Sequence, residues 1–250
     1  MASKQVLLVT GGSRGIGAAT CLLAAQKGYA VAVNYAHNAQ AANNVVQQIT
    51  QAGGKALAVQ GDVAQEADIL AMFKTVDTQL GRLTAFVNNA GVVDVASRVD
   101  AMSVARLKRM FDINITGSFL CAREAVLRMS TRHGGTGGSI VNLSSAAARL
   151  GGAGQYVDYA ASKGAMDTFT IGLAKEVALE GIRVNAVRPG IIETDIHASG
   201  GEPDRAQRMA PLVPMQRSGS AMEVAQAIVW LLSDEASYCT GTFIDVAGGR

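Results

Sequence analysis

Tyr159 and Lys163 stand four residues apart, near the end of a stretch that begins at Ser144-Ser145. On a helix that spacing puts both side chains on one face, a turn apart. A free phenol has a pKa of about 10 and is a poor acid or base near neutrality. A neighbouring ammonium favours the phenolate and lowers that pKa towards the working pH. Ser145 lies just past an apolar run, Ile140, Val141 and Leu143, that reads as a buried strand. If strand and helix pack together, its hydroxyl comes beside the Tyr159 phenol. Three such groups can hold a carbonyl oxygen and pass it a proton. A Tyr and a Lys at this spacing also occur on plain surface helices, so the chemistry depends on what the rest of the chain builds around them.

The first element that must position them is at the start of the chain. Gln5–Thr10 is a short run rich in β-branched residues, the pattern of a buried strand. It runs into Gly11-Gly12-Ser13-Arg14-Gly15-Ile16-Gly17, followed by a helical pattern over Ala18–Lys27. Strand, glycine turn and helix form the context of a dinucleotide site. The glycines permit a tight turn and let a pyrophosphate approach the backbone, and the helix N-terminus offers unpaired N–H groups to that anion. The spacing is Gly-x-x-x-Gly-x-Gly.

Ala30–Tyr35 reads as a second strand. Folds that prefer NAD place an acid near the end of this strand, to bond the ribose 2′-hydroxyl. Here that region is Asn34-Tyr35-Ala36-His37-Asn38, and no Asp or Glu precedes Asp62. Lys4, Arg14, Lys27 and Lys55 do. An acid would repel a 2′-phosphate, whereas Arg14 can pair with one. The expectation is NADP(H) in preference to NAD(H); if Arg14 is simply solvated, both cofactors bind.

Further along, Ala39–Gln51 and Glu66–Leu80 read as helices, and Ala56–Gln60 and Leu83–Val87 as strands. Asp62-Val63 and Asn88-Asn89-Ala90-Gly91 then fall at the carboxyl edge of a sheet, where ligands sit in open α/β folds. The alternation implies right-handed βαβ crossovers and a parallel sheet. Val104–Arg128 reads as two helical pieces or one kinked helix. Asn114 lies near its middle, where an Asn side chain competes for backbone bonds and predicts a local kink. Ser139–Leu143 and Ile182–Val187 are strands, the latter ending in Arg188-Pro189-Gly190-Ile191-Ile192-Glu193-Thr194. Residues 195–219 lose periodicity and carry Pro203, Pro211 and Pro214, as a lid over a site would. Met209, Leu212, Val213 and Met215 either line an apolar pocket or pack elsewhere. Ala221–Leu232 is a last helix and Thr242–Val246 a last strand.

The 250 residues show no repeat, linker or composition break, which predicts one domain. Apolar content of 49% and charged content of 17% are those of a well-buried globular protein. A net charge of +2 with no run of Lys and Arg gives no sign of nucleic-acid binding. Cys21, Cys121 and Cys239 are scattered and odd in number, which predicts a reducing, cytoplasmic setting. His37, His133 and His197 are too far apart for metal-ligand spacing. There is no signal-peptide pattern and no apolar stretch long enough to span a bilayer.

Together these landmarks resemble the short-chain dehydrogenase/reductase family over essentially the whole chain. The matching residues are Thr10-Gly11 with Gly15-Ile16-Gly17, Asp62, Asn88-Asn89-Ala90-Gly91, Asn114, Ser145, Tyr159, Lys163, and Pro189-Gly190 with Thr194. The resemblance implies a single-domain α/β Rossmann fold with a seven-stranded parallel sheet, helices on both faces, and a homotetramer. It implies that Tyr159 is the general acid in reduction and the base in oxidation, that Lys163 holds the nicotinamide ribose and lowers the Tyr159 pKa, and that Ser145 orients the carbonyl. Asn114 would anchor a water linking Lys163 to solvent. Gly11, Ser13, Arg14, Gly15, Ile16 and Gly17 would wrap the pyrophosphate and adenosine end, beside Asn34, Tyr35 and Ala36. Asp62 and Val63 would meet the adenine, and Asn89, Ala90 and Gly91 its ribose. Pro189, Gly190, Ile192 and Thr194 would seat the nicotinamide. The interval from Ser145 to Tyr159 is one residue longer than is common in the family, which leaves Ser144 as an alternative to Ser145. Tyr156 competes with Tyr159, but only Tyr159 has a Lys four residues on.

The chain is most similar to bacterial carbonyl reductases, including 3-oxoacyl-carrier-protein reductases and glucose-dehydrogenase-like members. The carrier-protein enzymes present basic residues to an acidic partner. Arg132 matches one such position, but Glu180 stands at the second and argues against a dedicated enzyme of that kind. The expectation is an NADPH-dependent reductase of a small ketone or aldehyde. An NAD-linked alcohol or sugar dehydrogenase and a dinucleotide-binding sensor are the rivals.

Overall fold

The computed structural model describes residues 5–250, without the His197 side chain; Lys4 and that imidazole lie outside the description. In chain order the elements begin β1 Val6–Val9, α1 Gly15–Gln26, β2 Ala30–Tyr35, α2 Ala39–Gln51, β3 Ala56–Gln60, α3 Glu66–Gln79 and β4 Ala85–Asn88. Next come α4 Val104–Phe111, a π-helical turn over Asp112–Gly117, α5 Ser118–Met129, β5 Gly138–Leu143, α6 Ala147–Leu150 and α7 Val157–Val177. The chain finishes with β6 Ile182–Pro189, β7 Ile192–Glu193, α8 Ile196–Ser199, α9 Arg205–Met209, β8 Gly219–Ser220, α10 Ala221–Leu232 and β9 Phe243–Val246.

Seven strands form one parallel sheet in the order β3-β2-β1-β4-β5-β6-β9, and β7 pairs with β8 apart from it. The chain winds outward from β1 in one direction and then from β4 in the other. The order therefore reverses between β1 and β4, where Leu7, Leu8 and Val9 face Ala85, Phe86 and Val87. A crevice opens at such a point, outside the carboxyl ends of the strands. Helices cover both faces, which is why β1, β2 and β5 are buried almost continuously rather than on alternate residues.

One core layer packs α3, α5 and α7 around Phe73, Phe86, Met129 and Ile140; the other packs α1, α2 and α10 around Cys21, Val45 and Ile228. Fully burying side chains of this size contributes roughly 1.5–3 kcal/mol each. Several helix starts are fixed by their own caps. Asn38 accepts from Ala41 N, Ser103 from Arg106 N, and Ser220 and Glu223 close a reciprocal capping box on α10. The starts of α1 and α7 carry no such side-chain cap.

Three expectations need correction. Helix α1 begins at Gly15, not Ala18. Strand β4 begins at Ala85, not Leu83, because Thr84 spends its backbone N–H and its hydroxyl on Val6. Residues 195–219 are not irregular throughout: they hold α8, α9 and a 3-10 turn at Ala210–Leu212. The kink at Asn114 is present as the π-helical turn, a wider coil that re-aims the side chains around it.

Candidate active site

The glycine turn after β1 is held from two sides. Asn34 on β2 is buried, and its Oδ1 accepts Gly11 N at 3.0 Å while its Nδ2 donates to the Val59 and Gly61 carbonyls. Asn89, just past β4, donates its Nδ2 to the carbonyls of Thr10 and Gly11 at 2.8 and 3.1 Å. The Thr10 hydroxyl accepts the N–H groups of both Asn89 and Ala90. Gly11 and Gly15 have φ of +62° and +53°, which favours glycine. A Cβ on Gly17 would sit inside the Gly11 carbonyl and 2.7 Å from Asn89 Nδ2. The turn thus lies flat against the start of α1, whose first N–H groups meet no side-chain cap and no acid. Arg14 is exposed, and although its carbonyl accepts Ala18 N, its guanidinium makes no hydrogen bond or ion pair with the described residues. Ser13 lies beside it, half-buried.

This arrangement corrects the expectation for Asn34. Its side chain is consumed by the turn and by β3, so it holds the glycine turn in place and is not free to meet a ligand. Val63 is likewise buried in the core against Gly117. Asp62 uses its Oδ1 to accept Ala64 N, while its own N–H donates to Asp68. Tyr35 and Ala36 are half-buried at the end of β2.

A cavity of about 530 Å³ opens beyond β4, β5 and β6. Its walls include Ile16, Asn89 and Gly91 on one side and Pro189, Gly190, Ile192 and Thr194 on another. Ser145, Tyr159 and Lys163 face it together, below Tyr156, Arg205 and Met209. Of the four apolar residues expected to line a pocket here, only Met209 faces this cavity. Val213 is buried, while Leu212 and Met215 are exposed.

Ser145 faces the cavity beside the Tyr159 phenol and acts to lower its pKa. Ser144 is buried and donates instead to the Lys163 carbonyl at 3.2 Å, so it ties β5 to α7. Lys163 donates its Nζ to the Leu143 carbonyl at 2.6 Å and sits 5.7 Å from the centroid of the Tyr159 ring. Burial pushes the Lys163 ammonium down to about 8, with Asp167 opposing. Burial raises the Tyr159 pKa, and the neighbouring Ser145 hydroxyl only partly offsets it. The expected lowering of the Tyr159 pKa by Lys163 is therefore absent in this geometry. The ammonium is turned to a backbone carbonyl, and desolvation wins.

Asn114, in the π-helical turn, is buried behind these groups. Its Oδ1 accepts Val92 N at 2.8 Å, and its Nδ2 faces the Val92 carbonyl, Met110 Sδ and Ser162 Oγ. Gly91 brings Asn114 and Lys163 together: a Cβ there would meet Asn114 Oδ1 at 3.4 Å and Lys163 Nζ at 3.5 Å. Two pairings escaped sequence reasoning. Arg106 and Asp158 form a buried bidentate ion pair at 2.7 and 3.1 Å, one residue before Tyr159. Tyr156 donates its hydroxyl to Glu202 at 2.8 Å, while Arg205 donates to Glu202 and Gln155. No signal local in sequence marks either one.

The family described as enoyl-(acyl carrier protein) reductase matches residues 11–250. The chain belongs to the short-chain dehydrogenase/reductase family. It is 59% identical to the uncharacterised oxidoreductase YgfF of Escherichia coli, over 98% of this chain and 99% of that protein. It is 39% identical to a 3-oxoacyl-[acyl-carrier-protein] reductase of Synechocystis, over 99% and 97% of the two chains. It is also 39% identical to the 3beta-hydroxysteroid dehydrogenase 1 of Eggerthella lenta, over 98% and 93%. A double mutant of a short-chain dehydrogenase/reductase from Serratia marcescens superposes with a TM-score of 0.89 at 33% identity, over 98% and 97% of the chains. The protein is thus an oxidoreductase of this family, with its single-domain α/β fold. No described helix is long and apolar enough to cross a membrane.

Proposed function

We propose that this short-chain dehydrogenase/reductase reduces a small ketone or aldehyde with NADPH, Tyr159 giving the proton. The observation that carries this reading is the convergence of Ser145 and Tyr159 on the wall of the cavity, with Lys163 one turn along the same helix. A nicotinamide dinucleotide, the cofactor class of this family, supplies the hydride when bound. The glycine turn fits it: a Cβ on Gly17 would meet the Gly11 carbonyl, so the turn packs directly on the start of α1, where no side chain caps the helix and an anion can take its place. Ser145 orients the substrate carbonyl and hands its oxygen to the phenol. Tyr159 is protonated near neutrality and so holds the proton that reduction consumes, although burial, by raising its pKa, makes it give that proton up less readily. Lys163 holds the nicotinamide ribose in this reading, and we place Asn114 on the route by which a proton returns. Residues 195–219 form the substrate lid in this reading.

NADPH over NADH rests on the free Arg14 guanidinium and on the acid-free end of β2. A dedicated carrier-protein substrate is disfavoured, because Glu180 lies 3.8 Å from Arg132 and offsets its charge. A homotetramer is supported by Phe119, Leu127 and Ile171, large apolar residues exposed on α5 and α7.

The test is a panel of ketones and aldehydes followed by cofactor absorbance. Tyr159→Phe is expected to lower kcat by at least about 100-fold with the NADPH Kd unchanged. Arg14→Ala is expected to weaken NADPH about 10-fold and leave NADH unaffected. Full activity in Tyr159→Phe would overturn the catalytic assignment, and a preference for NADH in the unaltered protein would overturn the cofactor assignment.

A further inference from the structure

Arg106 and Asp158 are 52 residues apart in sequence and form the most enclosed ion pair among the described residues, with no exposed Asp158 side-chain surface and 11% of Arg106 exposed. Burying two charges is expensive, and stability alone is a poor reason for it, because apolar residues of the same volume often do as well. The placement suggests another reason. Asp158 sits in the first turn of α7, next to Tyr159, where no side chain caps the helix. Burial pushes its carboxyl up, but the Arg106 guanidinium and the helix-start N–H groups of Asp158 and Tyr159 outweigh this and hold it below the ordinary value. The remaining arm of Arg106, Nη1, donates to the Val95 carbonyl at 2.5 Å.

The same segment grips the loop after β4 at two more points. Arg109 meets Asp94 at 3.3 Å, and Asn114 holds Val92 through both its amide atoms. Asn114 also reaches Ser162 on α7. Helix α4 and its π-helical turn therefore fasten one end of the Tyr159–Lys163 turn through Arg106 and the other through Asn114. The β4 loop, which contributes Val93 to the cavity wall, is held between them.

We propose that Arg106 and Asp158 are positioning residues for the reaction: they fix the start of α7, and with it the Tyr159 phenol, relative to the β4 loop across the cavity. The inference rests on the assignment of Tyr159 given above. It uses the direction of the fork. A guanidinium bound bidentately to one carboxylate and by its third nitrogen to a carbonyl fixes two segments in both distance and angle, which a single contact cannot do. Displacement of a reacting group by about 1 Å costs on the order of 100-fold in rate.

Two variants separate positioning from stability. Arg106→Lys keeps the charge opposite Asp158 but loses the fork and the reach to Val95. Arg106→Met combined with Asp158→Leu removes both charges and fills their volume. Each is measured for urea midpoint, NADPH Kd, carbonyl KM and kcat, beside Tyr159→Phe. The expected result is a kcat lowered about 10- to 100-fold in both variants, with NADPH Kd and carbonyl KM within about threefold. In the double variant the midpoint is expected to stay near that of the unaltered protein. The proposal is overturned if kcat in Arg106→Lys stays within twofold, or if activity across the two variants simply follows the urea midpoint. Retained activity in Tyr159→Phe would instead remove the underlying assignment, and that outcome reads differently because the pair is then intact.

Discussion

Lys163 provides a pH test of the site that needs no substrate. Its ammonium is buried, bonded to the Leu143 carbonyl, and pushed from an ordinary 10.5 down to about 8. In the unfolded chain the same group keeps its ordinary value. Between about pH 8 and pH 10.5 the unfolded state therefore holds a proton that the folded state has lost. Stability rises with pH wherever the unfolded state binds more protons. Below pH 8 both states are charged, and the folded state bears the full cost of burying the charge. At 1.36 kcal/mol per pKa unit, that cost is on the order of 3 kcal/mol. Lys163→Met removes it at every pH, along with one hydrogen bond worth about 1 kcal/mol. The expected outcome is that Lys163→Met is more stable than the unaltered protein at pH 7 by about 2 kcal/mol, and that this advantage disappears by pH 10. Urea unfolding at fixed protein concentration, without cofactor, measures it. A difference between the two proteins that is the same at pH 7 and pH 10 would refute the reasoning, since it would mean that Lys163 titrates alike in both states.

Two further outcomes follow from the glycine turn. Gly17→Ala places a methyl group against the Gly11 carbonyl and Asn89 Nδ2. It is expected to weaken NADPH at least about 10-fold by isothermal titration, at a cost of 1–3 kcal/mol for the overpacking; unchanged affinity would mean that the turn and α1 are not held this closely. Asn34→Leu leaves the Gly11 N–H and the Val59 and Gly61 carbonyls without their partner. At about 1–3 kcal/mol for each group left unpaired, it is expected to lower the unfolding free energy by about 3 kcal/mol or more, and a loss under about 1 kcal/mol would show that water replaces the amide freely.

Most of the sheet could be read because its strands are short apolar runs between turn residues, and the coverage of both faces left no ambiguous alternation. Strands β2 and β3 and helices α2 and α10 have the bounds expected. What escaped reading was side-chain direction and long-range pairing. Asn34 looked like a cofactor contact because it stands at the carboxyl end of β2. Nothing in Asn34-Tyr35-Ala36 reveals that its amide turns inward. Arg106 and Asp158 are ordinary surface residues by local pattern, and only the packing of α4 on α7 makes them a buried pair. Tyr156 competed with Tyr159 on sequence grounds, and the fold separates them: Tyr159 faces the cavity beside Ser145, while Tyr156 donates its hydroxyl to Glu202. The Pro-rich stretch hid α8 and α9 because helices of four and five residues leave no periodicity to detect. The missing influence of Lys163 on Tyr159 is of the same kind. Four-residue spacing fixes a shared face, but the direction of the ammonium depends on the Leu143 carbonyl, twenty residues away.

The inward turn of Asn34 also bears on why this strand end carries no acid. The position must accept one backbone N–H, from Gly11, and donate to two carbonyls, of Val59 and Gly61. A carboxamide does both at once. An ionised carboxylate has no donor and would bring a negative charge against two carbonyl oxygens in a buried place, a far costlier arrangement than an unpaired amide. At this position, then, the neutral residue follows from the backbone of the turn itself. In the proposed reading, selectivity for a 2′-phosphate falls to groups that face outward, of which Arg14 carries an unpartnered guanidinium on the turn. Cradle geometry and cofactor choice are thereby assigned to different residues, which is why a change at Arg14 should alter preference without loosening the fold, and a change at Asn34 should loosen the fold whatever cofactor is offered.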